Sequence, residues 1–169
     1  MAAAELDAMR IRLLKDIDRT LDALDGLTDA EARWQPVESG SSVVVLAGHV
    51  LGSAENMLVR LSGGTYVRDR DAEFLTPGQP AEMRAAAEAV KGRIASAFAA
   101  LDPATLGAER EAPPSHSAPT QRVVPSAWTG TAGAHTPREF LLQQISHTAE
   151  HAGHAELTRD LIKARRIAQ

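Results

Sequence analysis

Three segments of this sequence repeat apolar residues at three- and four-residue steps, and this spacing limits the possible folds more than any other feature. In the first segment the repeat comprises Leu14, Ile17, Leu21 and Leu24. An α-helix turns once in about 3.6 residues, so this repeat places the apolar side chains along one helical face. The pattern predicts helices over residues 4–26, 42–61 and 80–101, and a helix-start signal at Thr136 predicts a fourth over residues 136–163.

Two short stretches have the pattern of a capping box, in which the side chains at the two ends of a helix's first turn bind each other's backbone. The first is "TDAE", from Thr28 to Glu31, and the second is "TPRE", with Thr136, Pro137 and Glu139 in the favoured positions. The second stretch is the strongest helix start in the chain. It predicts that the last helix begins at residue 136.

The composition favours helices over a sheet. Aromatic residues make up only 4% of the chain, and alanine is abundant, so the core must be small and aliphatic. A length of 169 residues suits one domain, predicted to span residues 1–169. The connection 102–135 contains five prolines and little periodicity. We therefore predict an all-α protein, a four-helix bundle with one long loop before the last helix.

Several functional classes are disfavoured by composition. The chain has no cysteine, which excludes disulfides, thiolate metal sites and cysteine nucleophiles. A net charge of −4 without a long basic run argues against nucleic-acid binding. Charges interrupt the apolar positions of the first twenty residues, and no long uncharged apolar window follows, so neither a signal peptide nor a membrane span is expected. We expect a cytoplasmic protein.

Three of the six histidines, His147, His151 and His154, lie close together on the predicted last helix. They fall within roughly 60° of its circumference, on a strip that also contains Phe140. A histidine pair four residues apart can hold a transition metal through two ring nitrogens, but a firm site needs a third ligand. His49, at the edge of the apolar face of the second helix, is the natural candidate.

Two other interpretations of these histidines are open to the sequence. Histidines on a surface helix are often only solvated, and a lone histidine beside an apolar face is often a structural hydrogen-bonding residue. The stretch "HTAEH", from His147 to His151, also fits the inverted zinc-protease motif, with Glu150 as general base. That motif needs a further carboxylate ligand from a separate element downstream. Here the only later acidic residues, Glu156 and Asp160, lie on the same helix, which disfavours a protease.

The sequence resembles the DinB superfamily, which includes mycothiol- and bacillithiol-dependent transferases and maleylpyruvate isomerases. The resemblance lies in "LAGHVLGSAENML" on the second helix and "REFLLQQISHTAEHAGHAELTRDLI" on the last. In that family one histidine on the second helix and a late H-x-x-x-H pair hold a metal in a four-helix bundle. His49, His147 and His151 match these positions. Some relatives have a carboxylate in place of His147, so the resemblance leaves the metal open.

The resemblance implies a metal-dependent transferase that joins a low-molecular-weight thiol to a small electrophile. Zinc is the favoured metal, with nickel, manganese or iron as alternatives. Alanine-rich stretches such as "EMRAAAEAVKGRIASAFAAL" indicate a GC-rich genome. Together with the resemblance of "EHAGHAELTRDLI" to the actinobacterial branch of the family, they favour mycothiol as the thiol. Two other functions remain open: a non-enzymatic, stress-related metal-binding module, and a hydrolase that uses metal-bound water. We expect a homodimer, because dimers are the commonest homo-oligomers of soluble proteins.

Four further residues are candidates for roles around this metal. His154, Arg159 and Trp128 are candidate substrate-binding residues, the last because it could cover the pocket from the long loop. Glu150 is a weaker candidate for a catalytic base. Each also has an ordinary explanation, since Arg159 near the end of a helix can simply complement its dipole.

Overall fold

The computed structural model describes residues 1–62, 73, 78–111 and 134–168. Within these ranges it contains five α-helices, a short 3-10 helix at Pro103–Thr105 and two paired strands. The helices are α1 (Ala2–Asp22), α2 (Asp29–Ala32), α3 (Val43–Leu61), α4 (Pro80–Ala100) and α5 (Pro137–Ile167). The two-residue strands β1 (Arg110–Glu111) and β2 (Ala134–His135) pair in antiparallel fashion just before α5.

The helix starts follow the capping signals in the sequence. Thr28 and Thr136 each accept a hydrogen bond from the backbone N–H three residues on, and the glutamate there accepts one in return from the threonine's backbone, which confirms both predicted capping boxes. The side chain of Ser42 caps α3 in a similar way by accepting from the N–H of Val45. Such caps satisfy amides that a helix leaves without internal partners.

The end of α1 differs from the prediction by a few residues. The helix stops at Asp22, and the chain continues through tight turns to Gly26, whose φ of 70° lies in the left-handed region. Glycine adopts that conformation without a steric penalty, which is why it ends the segment. The sequence therefore placed the stop at the right glycine but did not distinguish the last helical turn from the turns that follow it.

The four long helices form the bundle, and contacts between them fix their directions. Arg138 pairs with Glu5, and Arg19 pairs with Glu156, so α1 and α5 run in the same direction. Ser53 bonds Gln144, and Arg60 lies over Phe140, so α3 runs opposite to α5. On α4, Arg84 donates to the carbonyl of Leu21 and Lys91 pairs with Asp18, both on α1. α4 therefore runs opposite to α1 and parallel to α3.

The core between these helices is mostly aliphatic, as the composition indicates. Its fully buried side chains include Leu13, Ile17, Met57, Ile94 and Leu141. The all-α bundle is therefore confirmed. Of the predicted long loop, residues 112–133 lie outside the described residues, and the described part begins with the short 3-10 helix and ends in the β1–β2 pair.

One acidic side chain is fully enclosed in the described part of this core. Asp16 on α1 has no solvent exposure, and its two carboxylate oxygens accept hydrogen bonds from Arg12 at 2.6 Å and from Arg19 at 2.8 Å. Arg19 also donates to both oxygens of Glu156 on α5. This paired geometry lowers the pKa of Glu156, because the ionised carboxylate is the form that accepts both bonds. Arg19 therefore joins a buried charge on α1 to a surface charge on α5.

Among the described residues, α3 is the one helix whose length and composition would allow a membrane crossing. In the structure 67% of its most apolar window is buried inside the bundle. Its apolar character is thus used by the protein core.

Candidate metal centre

Three histidine rings meet between α3 and α5. His49 comes from the first half of α3, and His147 and His151 come from adjacent turns of α5. The ring centroids are 5.1 Å apart for His49 and His147, 4.7 Å for His49 and His151, and 4.5 Å for the pair on α5. One nitrogen from each ring lies within 4.8 Å of the other two. This separation makes the cluster a candidate for a single ion.

The local structure explains why these rings converge. Residues four apart on a helix project from the same face, so His147 and His151 lie side by side along α5, with their rings edge to face. The hydroxyl of Ser53 donates to the side-chain oxygen of Gln144, whose amide nitrogen donates to the hydroxyl of Thr148. These three residues are buried, within about one turn of the histidines. Their bonds fix the register of α3 against α5, and so bring His49 opposite the pair.

The three histidines differ in their exposure to solvent. His49 is buried, with 2% of its surface exposed, whereas His147 and His151 are half-buried. The Nε2 atom of His147 and the Nδ1 atom of His151 are nevertheless shielded from solvent. Of the three ligand candidates, His147 and His151 therefore contribute more exposed surface than His49.

Glu73 is a functional candidate that the sequence did not indicate. Its Oε2 atom lies 3.1 Å from Nδ1 of His49. An ionised carboxylate only accepts hydrogen bonds, so Nδ1 of His49 carries the proton and its Nε2 keeps the lone pair that a metal needs. A carboxylate behind a ligating histidine is a common arrangement that fixes the ring and raises its basicity. No periodicity or motif in the sequence around Glu73 indicates that it is a partner of His49.

The residues present fit a divalent metal. Three imidazoles in a tetrahedral zinc site have nitrogens about 3.3 Å apart, which the observed 4.8 Å limit can reach through small rotations of the rings. Imidazole nitrogen suits zinc, copper, iron and nickel better than magnesium or calcium. Three protein ligands leave a coordination position for another molecule, as catalytic zinc sites do.

The role of Glu73 gives a first prediction. Replacing Glu73 with glutamine should weaken zinc affinity by about 10- to 100-fold, because His49 loses the carboxylate that orients it. Competition with a chromogenic chelator measures the dissociation constant. The matched control is Glu38→Gln, at an exposed glutamate, which should leave the constant unchanged. Equal affinities in both variants would show that Glu73 does not support the site.

None of the other predicted site residues that the structure describes belongs to the cluster. The ring of His154 is exposed, and its centroid is 6.1 Å from that of His151. Glu150 is exposed and accepts a hydrogen bond from Ser146. Arg159 is half-buried and pairs with the neighbouring Asp160 at 2.8 Å. Trp128 lies outside the described residues.

The fold and the cluster together define a class: a four-helix bundle with three histidines on two antiparallel helices. A family model of the DinB superfamily matches residues 12–155. The matched range includes all three histidines and most of each long helix, so the chain belongs to the DinB superfamily. A comparison with curated proteins gave no match.

Proposed function

We propose that this protein is a metal-dependent transferase that joins a low-molecular-weight thiol, with mycothiol favoured, to a small electrophile. The observation behind the proposal is the convergence of His49, His147 and His151 on one point. Imidazole ligands carry no charge, so a bound divalent ion, which we propose to be zinc, would lower the pKa of a coordinated thiol.

The residues of this chain would divide the remaining work. The three histidines would hold the ion, and Glu73 would keep His49 in the ligating tautomer. Because the chain has no cysteine, the thiol must come from a small molecule. His154, whose exposed ring lies 6.1 Å from that of His151, would contact that molecule. The buried walls of the site would limit the access of water to the reacting groups.

A thiol panel tests the proposal. The full-length protein is reconstituted with zinc and mixed with a fluorogenic electrophile, such as monochlorobimane, and with mycothiol, bacillithiol or glutathione in turn. We expect zinc-dependent conjugation with one thiol, fastest with mycothiol, and none after His49→Ala. Thiol-independent cleavage of an ester would instead favour a hydrolase. A protein that binds zinc tightly but turns over neither class of substrate would favour a metal-binding module.

A further inference from the structure

A half-buried arginine lies on the seam between α3 and α5 that also contains the histidines, and it has no carboxylate partner among the described residues. Arg60 is in the last turn of α3, with its guanidinium carbon 4.1 Å from the centroid of the Phe140 ring on α5. Its Nε atom is buried and has no hydrogen-bond acceptor among the described residues. No described carboxylate pairs with this guanidinium.

This environment is unfavourable for a charged group. Burial lowers the pKa of Arg60, because the protonated guanidinium loses solvation. Contact with the face of Phe140 offsets part of that loss and fixes the position of the group. A buried N–H without an acceptor remains a cost. Several other arginines of the bundle, such as Arg19 and Arg138, instead have well-aligned carboxylate partners.

Helix geometry places Arg60 in line with the metal cluster. Arg60 follows His49 by eleven residues, which is three helical turns and a rotation of only about 20°. On α5, Phe140 precedes His147 by seven residues, or about 10 Å along the axis. The seam between them contains the polar side chains of Ser53 and Gln144. The two ends of the seam thus offer a metal position and a positive charge about 10 to 16 Å apart along the helix axes.

We propose that Arg60 binds a carboxylate of the ligand whose other end lies at the three-histidine cluster. A carboxylate fits because its two oxygens match the fork of guanidinium N–H donors. The ligand is then an extended organic anion. This inference rests on the proposed function only in placing a thiol at the cluster. It adds a substrate class, namely extended organic anions whose carboxylate binds Arg60.

Bifunctional probes test this arrangement directly. Mercaptopropionate, mercaptohexanoate and mercaptoundecanoate carry a thiol and a carboxylate at different separations, and each has a matching mercapto-alcohol. With zinc-loaded protein, calorimetry should show that mercaptohexanoate binds about tenfold more tightly than mercaptohexanol, as one charge-assisted contact gives. Mercaptopropionate is too short to reach both ends and should show no such preference.

Variants at position 60 assign the preference. Arg60→Ala should bind the acid and the alcohol equally, and Arg60→Lys should keep part of the preference. Arg93→Ala is the matched control, since Arg93 lies on α4 in an ion pair with Glu55, and it should behave like the native protein. Circular dichroism checks that each variant is folded, and the lysine variant serves if the alanine variant is not.

A second measurement separates this inference from the proposed function. In full-length protein stripped of metal, hexanoate should bind more tightly than hexanol, and this preference should vanish in Arg60→Ala. If no mercapto-alcohol binds the zinc-loaded protein while the hexanoate preference persists, the thiol chemistry fails and the anion site stands. Equal binding of acid and alcohol to the native protein, or a preference that survives Arg60→Ala, overturns the role of Arg60.

Discussion

Purified His49→Ala and His151→Ala proteins should lose stoichiometric zinc. Each substitution removes one of three converging ring nitrogens and leaves a pair that cannot complete a site. Loss of a residue that merely orients a ligand weakens metal sites by about 10- to 100-fold, so loss of the ligand itself should exceed about 100-fold. Elemental analysis after gel filtration, and chelator competition on reconstituted protein, measure the effect.

The control for this experiment is His154→Ala. His154 is on the same helix, three residues from His151, but its ring is exposed and lies outside the cluster. It should retain one zinc ion per chain. A native protein that takes up no zinc, or variants that all keep it, would contradict a site formed by His49, His147 and His151.

Replacing Arg19 with alanine should destabilise the fold by about 3 kcal/mol. The substitution removes one of the two partners of Asp16, whose side chain is fully buried, and removing a partner of a buried ion pair is strongly destabilising. It also breaks the link to Glu156 on α5. Urea denaturation followed by circular dichroism should show a lower midpoint, and the melting temperature should fall by about 10 °C.

Arg10→Ala is the matched control for Arg19. Arg10 is also on α1 and pairs with an acidic residue, Asp7, but that pair is solvent-exposed and should contribute less than about 1 kcal/mol. If both variants unfold at the same urea concentration, the enclosed carboxylate of Asp16 does not depend on Arg19. A selective loss in Arg19→Ala would identify the link as a structural tie between the first and last helices.

The sequence predicted the features that depend on nearby residues. The capping box at Thr136 and the pairing of His147 with His151 each follow from spacings within one helix. His49 was proposed from its place beside an apolar face and from the family pattern. The structure brings it to the other two rings, because α3 packs against α5 in the antiparallel sense.

The features that the sequence did not predict depend on tertiary contacts. Glu73 lies in a segment whose sequence has no helical periodicity, and it contacts His49 only through the tertiary fold. Arg60 belongs to no sequence motif, and its contact with Phe140 depends on the packing of α3 against α5. His154 shows the limit of angular reasoning. His154 lies within the 60° strip of α5 that contains His147 and His151, but only part of that strip is buried. The ring of His154 is exposed and lies outside the three-histidine cluster.

The long separation of the histidines along the chain has a consequence for folding. His49 and His147 meet only when α5 has docked onto α3, so no early local fragment of the chain can contain the complete cluster. An ion that binds the three rings therefore stabilises the whole native state rather than one helix. At a free concentration a hundredfold above its dissociation constant, it would add about 2.7 kcal/mol to the free energy of unfolding. Metal supply in the cell would then influence how much of this protein survives, as well as how much of it is active.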